Sequence, residues 1–550
     1  MHALGFGKFF RPARCLALLA VCGVAVTLPA QVKEHPIPQV VKKDGRYAFM
    51  VDGAPYLMLG AQAHNSSGWP NMLPKVWPAI EYLHANTLEI PIYWEQFEPK
   101  PGQFDYTVID TIVTQAREHH VRLVLLWFGT WKNGSQHYMP EWMKADPERY
   151  FHLTDKNGRP ADSPSPFATA SQELDIKAFG AFMRHLKAFD PVRTVIMVQV
   201  ENETGTWGSV RDYAPVAQKL FEGPVPAAVL KAMNKEGSTA ANWQEAFGVE
   251  AEVNFHAWAV ATYVGKVAAA GKAAYALPLY ANAALRDPIK PGAPGSYESG
   301  GPTDNVIPIW KVAAPALDIV CPDIYLNDPA QYLKVLELYH RDDNPLFVPE
   351  TSGGASVARF FFSALGMQAI GFSPFGLDYS TTPPPSAVPA APAAAGAPRG
   401  PDDSLAATAQ NYKLIAPMMR EIARLNFEGK VQTAVEEKGT PNDTLKFGAW
   451  NATVSYGAGR RGAPAGNADP TGRVLVAQTG ENQFLVTGMA ARVDFRPTTP
   501  DKRRQFMRVD EGTYENGVFK FIRILNGDET DNGLNFRSEP VALHVSLGVY

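Results

Sequence analysis

The feature that most constrains this chain is a repeat of texture. From residue 56 onward, short apolar runs alternate with amphipathic stretches eight times in succession. The runs are YLMLGAQ (56–62), NTLEIPIYW (86–94), VRLVLLWF (121–128), TVIMVQVEN (194–202), LPLYAN (277–282), DIVCPDIY (318–325), PLFVPE (345–350) and QAIGFSPFG (368–376). Short continuous apolar runs suit strands buried on both faces. The stretches between them, such as YTVIDTIVTQAREHH and IKAFGAFMRHLKAF, space their apolar residues as helices do. The fifth crossover, 283–317, carries the weakest such pattern. Eight strand–helix units predict an α/β fold, the (β/α)8 TIM barrel. A doubly wound open sheet shares the alternation but gives no reason for eight repeats.

The rest of the chain falls around that unit. Its 550 residues, 46% hydrophobic and 19% charged, exceed one ordinary domain and can fill a large core. Residues 1–30 place Lys8, Arg11 and Arg14 before the apolar run CLALLAVCGVAVTL and end in LPA. That is the layout of a signal peptide, and the run is shorter than the ~20 residues a spanning helix needs. Its removal moves the formal charge from -4 to -7, because it holds three cations and no acids. It also takes Cys15 and Cys22, leaving Cys321 and no internal disulfide. A periplasmic or secreted bacterial enzyme, with no membrane contact once the signal is removed, fits this layout.

The barrel is expected over 31–430, with a Pro/Ala-rich insert at 381–403. Long loops at 129–171 and 204–245 follow the third and fourth strands and should rise from the C-terminal face, where barrel pockets form. From 431 to 550, alternating segments around Asn-Gly turns predict a C-terminal all-β sandwich. GAGRRG (457–462) matches a dinucleotide fingerprint in letters only, since no βαβ unit surrounds it. No basic stripe points to nucleic acid. No zinc motif, Walker loop or Gly-x-Ser-x-Gly elbow is present, so no metal or cofactor is expected.

The fourth run ends on Glu201-Asn202-Glu203, and the seventh on Glu350. Strict alternation would put Glu201 and Glu203 on one face, with Asn202 opposite. Strands four and seven stand across the barrel from each other, so Glu203 and Glu350 can flank its mouth. Paired carboxylates around a pocket suit glycoside hydrolysis, in which one protonates the leaving oxygen and the other attacks the anomeric carbon, ~5–5.5 Å apart in a retaining enzyme. Tyr93, Trp94, Trp127, Trp131, Trp207 and Tyr325 cluster at strand ends and offer aromatic faces to sugar rings. Glu95 could bind a hydroxyl pair, whereas Glu98 is expected to fix its loop.

VQVENETG resembles the signature of family 35 glycoside hydrolases, which are β-galactosidases. NTLEIPIYWEQFEPKPGQFDY resembles their second-strand segment and that of the related family 42, and DGRYAFMVDGAPYLMLGAQAH their opening hairpin and first strand. The resemblance spans about residues 38–376. It implies Glu203 as acid/base, Glu350 as nucleophile and Asn202 as partner of the sugar 2-hydroxyl. Tyr325 would bond the nucleophile, and Glu201 would support the site or bind sugar. The chain lacks the family's Cys-Ala-Glu after strand three and its aromatic nucleophile segment, and it carries Glu95 where members carry asparagine. These departures fall on sugar recognition.

The expectation is a retaining, exo-acting β-galactosidase acting on oligosaccharides or plant cell-wall glycan side chains. Another retaining β-glycosidase on the same barrel, or a non-catalytic carbohydrate-binding protein, is the alternative. The sequence leaves room for a homo-oligomer. Glu203 should be protonated at rest, through the charge of Glu350 and partial burial, with Glu350 ionised.

Overall fold

A computed structural model describes Gly7 and residues 34–378, 405–457, 465–537, 539 and 541–550. The signal segment 1–30 (Gly7 apart), the insert 381–403 and nearly all of GAGRRG lie outside the described residues.

All eight apolar runs form strands, and they close into one parallel barrel in chain order. The strands are Met58–Gln62, Thr87–Tyr93, Arg122–Lys132, Val195–Asn202, Leu279–Ala284, Ile319–Ile324, Val348–Thr351 and Gly371–Pro374. The eighth pairs back to the first through Gly371↔Met58 and Phe372↔Leu59. Crossover helices include Leu73–Leu83, Thr107–Glu118, Thr169–Phe189, Ala251–Ala274, Pro329–Tyr339 and Phe360–Gly366. The weak fifth crossover holds only the short helix Ile307–Ala313. The last helical stretch breaks near Pro417 into Ala406–Ile415 and Met419–Phe427, since proline supplies no backbone N–H.

Two apolar layers follow from strand alternation. Val124, Leu126 and Phe128 of the third strand join Met197, Tyr280, Cys321 and Phe347 inside the barrel. Leu123, Leu125 and Trp127 point the other way, into the layer shared with the helices. A hairpin meander, Gln39–Tyr56, adds Phe49 and Val51 to the interior cluster.

The C-terminal part is a six-stranded and a four-stranded antiparallel sheet around a common core that includes Trp450, Val476, Phe484 and Val545. The larger sheet buries both faces where it meets the barrel. On strand Arg473–Gly480, Val474 and Val476 face the sandwich core, while Leu475 and Ala477 join the barrel's helix layer. Among the described residues, no helix is long and apolar enough to cross a membrane.

Candidate active site

The fourth strand does not end in strict alternation. Glu201 and Glu203 both take left-handed backbone, at φ 64° and 43°, which non-glycine residues rarely adopt. The twist separates the side chains that alternation would place together. Glu201 turns into the buried layer, where its Oε2 accepts the Trp131 N–H at 2.7 Å and its carboxyl meets Asp175. It is fully buried there and does not join Glu203, contrary to the alternation expectation. Burial, then the charge of Asp175, pushes its pKa well up.

Glu203 instead reaches the mouth. Its backbone N–H donates to Asn282 Oδ1 at 3.0 Å. One oxygen each of Glu203, Asp323 and Glu350 lie within 4.8 Å of one another. Glu350 is held from two sides: the Tyr325 hydroxyl donates to Oε1 at 2.6 Å and Gln62 Nε2 donates to Oε2 at 3.0 Å. Burial, then the Glu350 charge, keeps the Tyr325 phenol protonated and well above its ordinary value. The Glu203 pKa is raised to about 7, first by burial and second by the Glu350 charge, with Lys132 and a hydrogen bond from Asp323 acting against the rise.

Asn202 is buried. Its Oδ1 accepts from Lys132 Nζ at 2.6 Å, and its Nδ2 has no protein partner. Lys132 arrives because the third strand runs past residue 128, with a register shift between Trp127 and Lys132 that pairs Lys132 with Asn202. Three acids beyond the two flanking glutamates surround the site. Asp323 precedes Tyr325 by two residues on the sixth strand and is buried. Glu298, from the loop after the fifth strand, is buried with neither oxygen partnered, and lies against Gly205 and Gly134. Its pKa is pushed well up by burial and then by Glu203. Glu89, on the second strand, accepts from the Tyr280 hydroxyl at 3.0 Å, and burial raises its pKa to about 8.

Strand parity could have found two of these. Asp323 and Glu89 are carboxyls inside otherwise apolar strands, and Asp323 shares the parity of Tyr325. Glu298 and Lys132 carry no such signal, because a loop and a register shift place them.

Other expected contacts move. Trp94 and Trp127 are fully buried and pack on each other, and Trp127 also packs on Phe97 and Phe182 in the layer behind the strands. Their indole N–H groups donate to Glu98 and Asp175, so neither ring faces sugar. Odd parity on the third strand turns Trp127 outward. Glu95 is half-exposed and pairs with Lys144 at 3.0 Å. Glu98 fixes its loop as expected, accepting from Trp94 Nε1 and the Gly102 N–H. Trp207, 53% exposed, stands beside Gly134. Trp69, which no strand-end pattern marks, is 41% exposed and stacks on Tyr93.

Three carboxylates so close could also reach one cation. Both Glu350 oxygens already accept from neutral donors, however, and Lys132 supplies positive charge nearby, so this donor set suits proton transfer better than ligation.

Residues 73–270 match the family model of glycoside hydrolase family 42, described as Beta-galactosidase. Residues 408–537 match a "Domain of unknown function (DUF5597)". No curated protein matches the chain at a significant level. A Bacillus circulans sp. alkalophilus β-galactosidase structure is 13% identical, with a TM-score of 0.47 over 66% of this chain and 57% of its own. A Rahnella sp. R3 β-galactosidase is 15% identical, with a TM-score of 0.43 over 58% and 51%. The catalytic domain of a Paenibacillus polymyxa β-amylase is 14% identical, with a TM-score of 0.43 over 58% and 92%. The chain thus spans just over half the length of the two β-galactosidases. Its fold is a closed eight-stranded barrel, and residues 73–270 of that barrel are similar to the glycoside hydrolase family. The family 42 match takes in Glu203 but stops before Glu350, so the pairing of the two glutamates rests on geometry.

Proposed function

We propose that the chain is a retaining, exo-acting β-galactosidase in which Glu203 is the acid/base and Glu350 the nucleophile. The observation that carries this reading is the short approach of the two carboxyls, within 4.8 Å oxygen to oxygen. Inverting pairs need ~6.5–9.5 Å to admit a water, whereas retaining pairs stand ~5–5.5 Å apart. Glu350 attacks the anomeric carbon and forms a glycosyl ester, while Glu203 gives its proton to the departing oxygen. Glu203, now a carboxylate, takes a proton from water. That water displaces Glu350 and restores the β configuration. The unpartnered Asn202 Nδ2 supports a bond to the sugar 2-hydroxyl, and exposed Trp207 supports an aromatic contact.

The galactose specificity draws on the resemblance to family 35 and the match to family 42. The reading extends to terminal β-galactosyl residues of oligosaccharides or plant cell-wall glycans, met by an exported enzyme organised as a barrel over 31–430 and a β domain over 431–550. The test is turnover of p-nitrophenyl β-galactoside beside the β-glucoside, β-mannoside and α-arabinoside, with Glu350→Ala as control. Preference for the galactoside, lost in the variant, supports the reading. Preference for another sugar keeps the two-glutamate mechanism and removes galactose. Turnover that survives Glu350→Ala sinks the assignment.

A further inference from the structure

Asp323 occupies a position that the two-glutamate scheme does not use. It lies on the sixth barrel strand in direct register with Glu350, and it is buried. Its Oδ2 accepts from Asn282 Nδ2 at 2.6 Å. The same Asn282 accepts the Glu203 N–H through Oδ1. One side-chain amide on the fifth strand thus grips the Glu203 backbone and the Asp323 carboxyl together. Asp323 Oδ1 is buried and meets no N–H or O–H donor of the protein. An oxygen of the Asp323 carboxyl lies within 4.8 Å of oxygens of both Glu203 and Glu350, so the Glu203 carboxyl is its close neighbour. A carboxylate only accepts, so two carboxyls can bond to each other only when one carries a proton.

Resting on the reading above, we infer that Asp323 is a positioning residue for the acid/base step: it shares one proton with Glu203 across their facing carboxyls, and Asn282 fixes the pair. The charged and titratable groups around the pair are Glu350 and Tyr325 on the nucleophile side, Lys132 from the third strand and Glu298 from the loop after the fifth. Cys321, Tyr280 and Tyr339 face Asp323 from within the barrel and the following helix. Loss of the shared proton leaves two adjacent anions beside the Glu350 carboxylate, which the buried setting opposes. The pair therefore keeps its proton to higher pH than a lone glutamate would. In glycosylation that proton leaves from the Glu203 oxygen to the departing sugar oxygen. In deglycosylation the proton of the attacking water refills the pair, so the balance closes over one cycle.

The experiment compares wild type with Asp323→Asn on two substrates across pH. One carries a dinitrophenolate leaving group that needs no acid, and the other is a disaccharide whose leaving group does. In Asp323→Asn the alkaline limb of kcat/KM moves by roughly one pH unit or more, because Glu203 then titrates alone instead of as one of a pair. The disaccharide loses roughly ten-fold or more, against less than about three-fold for the dinitrophenyl glycoside. An unmoved limb with equal loss on both substrates overturns the inference and leaves Asp323 a packing residue. Should Asp323→Asn fail to fold, Asn282→Ala carries the test, with a smaller shift expected and an unmoved limb again overturning the idea. The two readings fail separately. A wild type that turns over no β-glycoside sinks the proposed function, whereas an active wild type that dies with Glu350→Ala but keeps its limb in Asp323→Asn sinks only the inference.

Discussion

Glu201 and Glu203 are two residues apart, and each meets an aspartate. Glu201 faces Asp175 in a sealed layer behind the strands, among Thr130, Tyr263 and Trp127. Glu203 faces Asp323 at the barrel mouth, beside Glu350 and under a loop that holds Glu298. Both pairs are acids pushed upward by burial. The first has nowhere to send a proton, because every neighbour is fixed protein. The second borders the space a substrate would enter. Identical chemistry becomes structural or catalytic according to what lies on its open side.

Substitution can break this comparison at either end. The largest effect is expected from Glu203→Gln, with kcat/KM on a disaccharide falling roughly a hundred- to ten-thousand-fold while thermal unfolding barely moves. Glu201→Gln should cost less than about ten-fold in kcat/KM and within ~1 kcal/mol of stability, because the amide still accepts the Trp131 N–H and donates to Asp175. Equal kinetic losses in both variants would erase the distinction.

The aromatic residues sharpen the same contrast. Trp127→Ala should cost about 3–5 kcal/mol in chemical denaturation, since it empties a fully buried site. Trp207→Ala should leave the melting temperature in place and raise KM roughly five-fold, the equivalent of about 1 kcal/mol. A melting loss for Trp207→Ala would place that ring in the core after all.

The last expected effect is spread over pH as a slope. Glu89 has its pKa raised from 4.5 to about 8 by burial, so the folded state holds a proton that the unfolded chain has released across that window. Stability then falls as pH rises from 4.5 towards 8, by at most about 1.4 kcal/mol per unit, and levels off above. Glu89→Gln should remove that slope. Parallel stability curves for variant and wild type would show that Glu89 is not held protonated. The kinetic counterpart is Glu203, raised to about 7, which sets the alkaline limb of wild-type kcat/KM near neutrality.

The barrel was legible because burial on both faces leaves a mark in every strand. Each of the eight apolar runs became a strand, in chain order. Glu350 and Tyr325 were legible as polar groups at strand ends, and the hydrogen bond between them is the contact that the family resemblance implied. The tryptophans misled for a related reason: an aromatic residue at a strand end is written the same way whether it points into the mouth or back to the helices. Parity resolves this for Trp127 but not for Trp94, which lies in a short helix just past its strand.

By itself the sequence determined the period, and with it eight buried strands, the closed barrel, the following β domain and the two glutamates that end strands four and seven. These follow from local composition, because a strand buried on both faces is apolar along most of its length and gathers most of its polar residues toward its ends. Only the tertiary structure decided which carboxyls meet. Left-handed turns at Glu201 and Glu203 break the alternation, a register shift carries Lys132 to Asn202, and a loop from another crossover brings Glu298 against Gly205. A proton shared between Glu203 and Asp323 depends on a distance between strands four and six, and no local pattern in the chain records it.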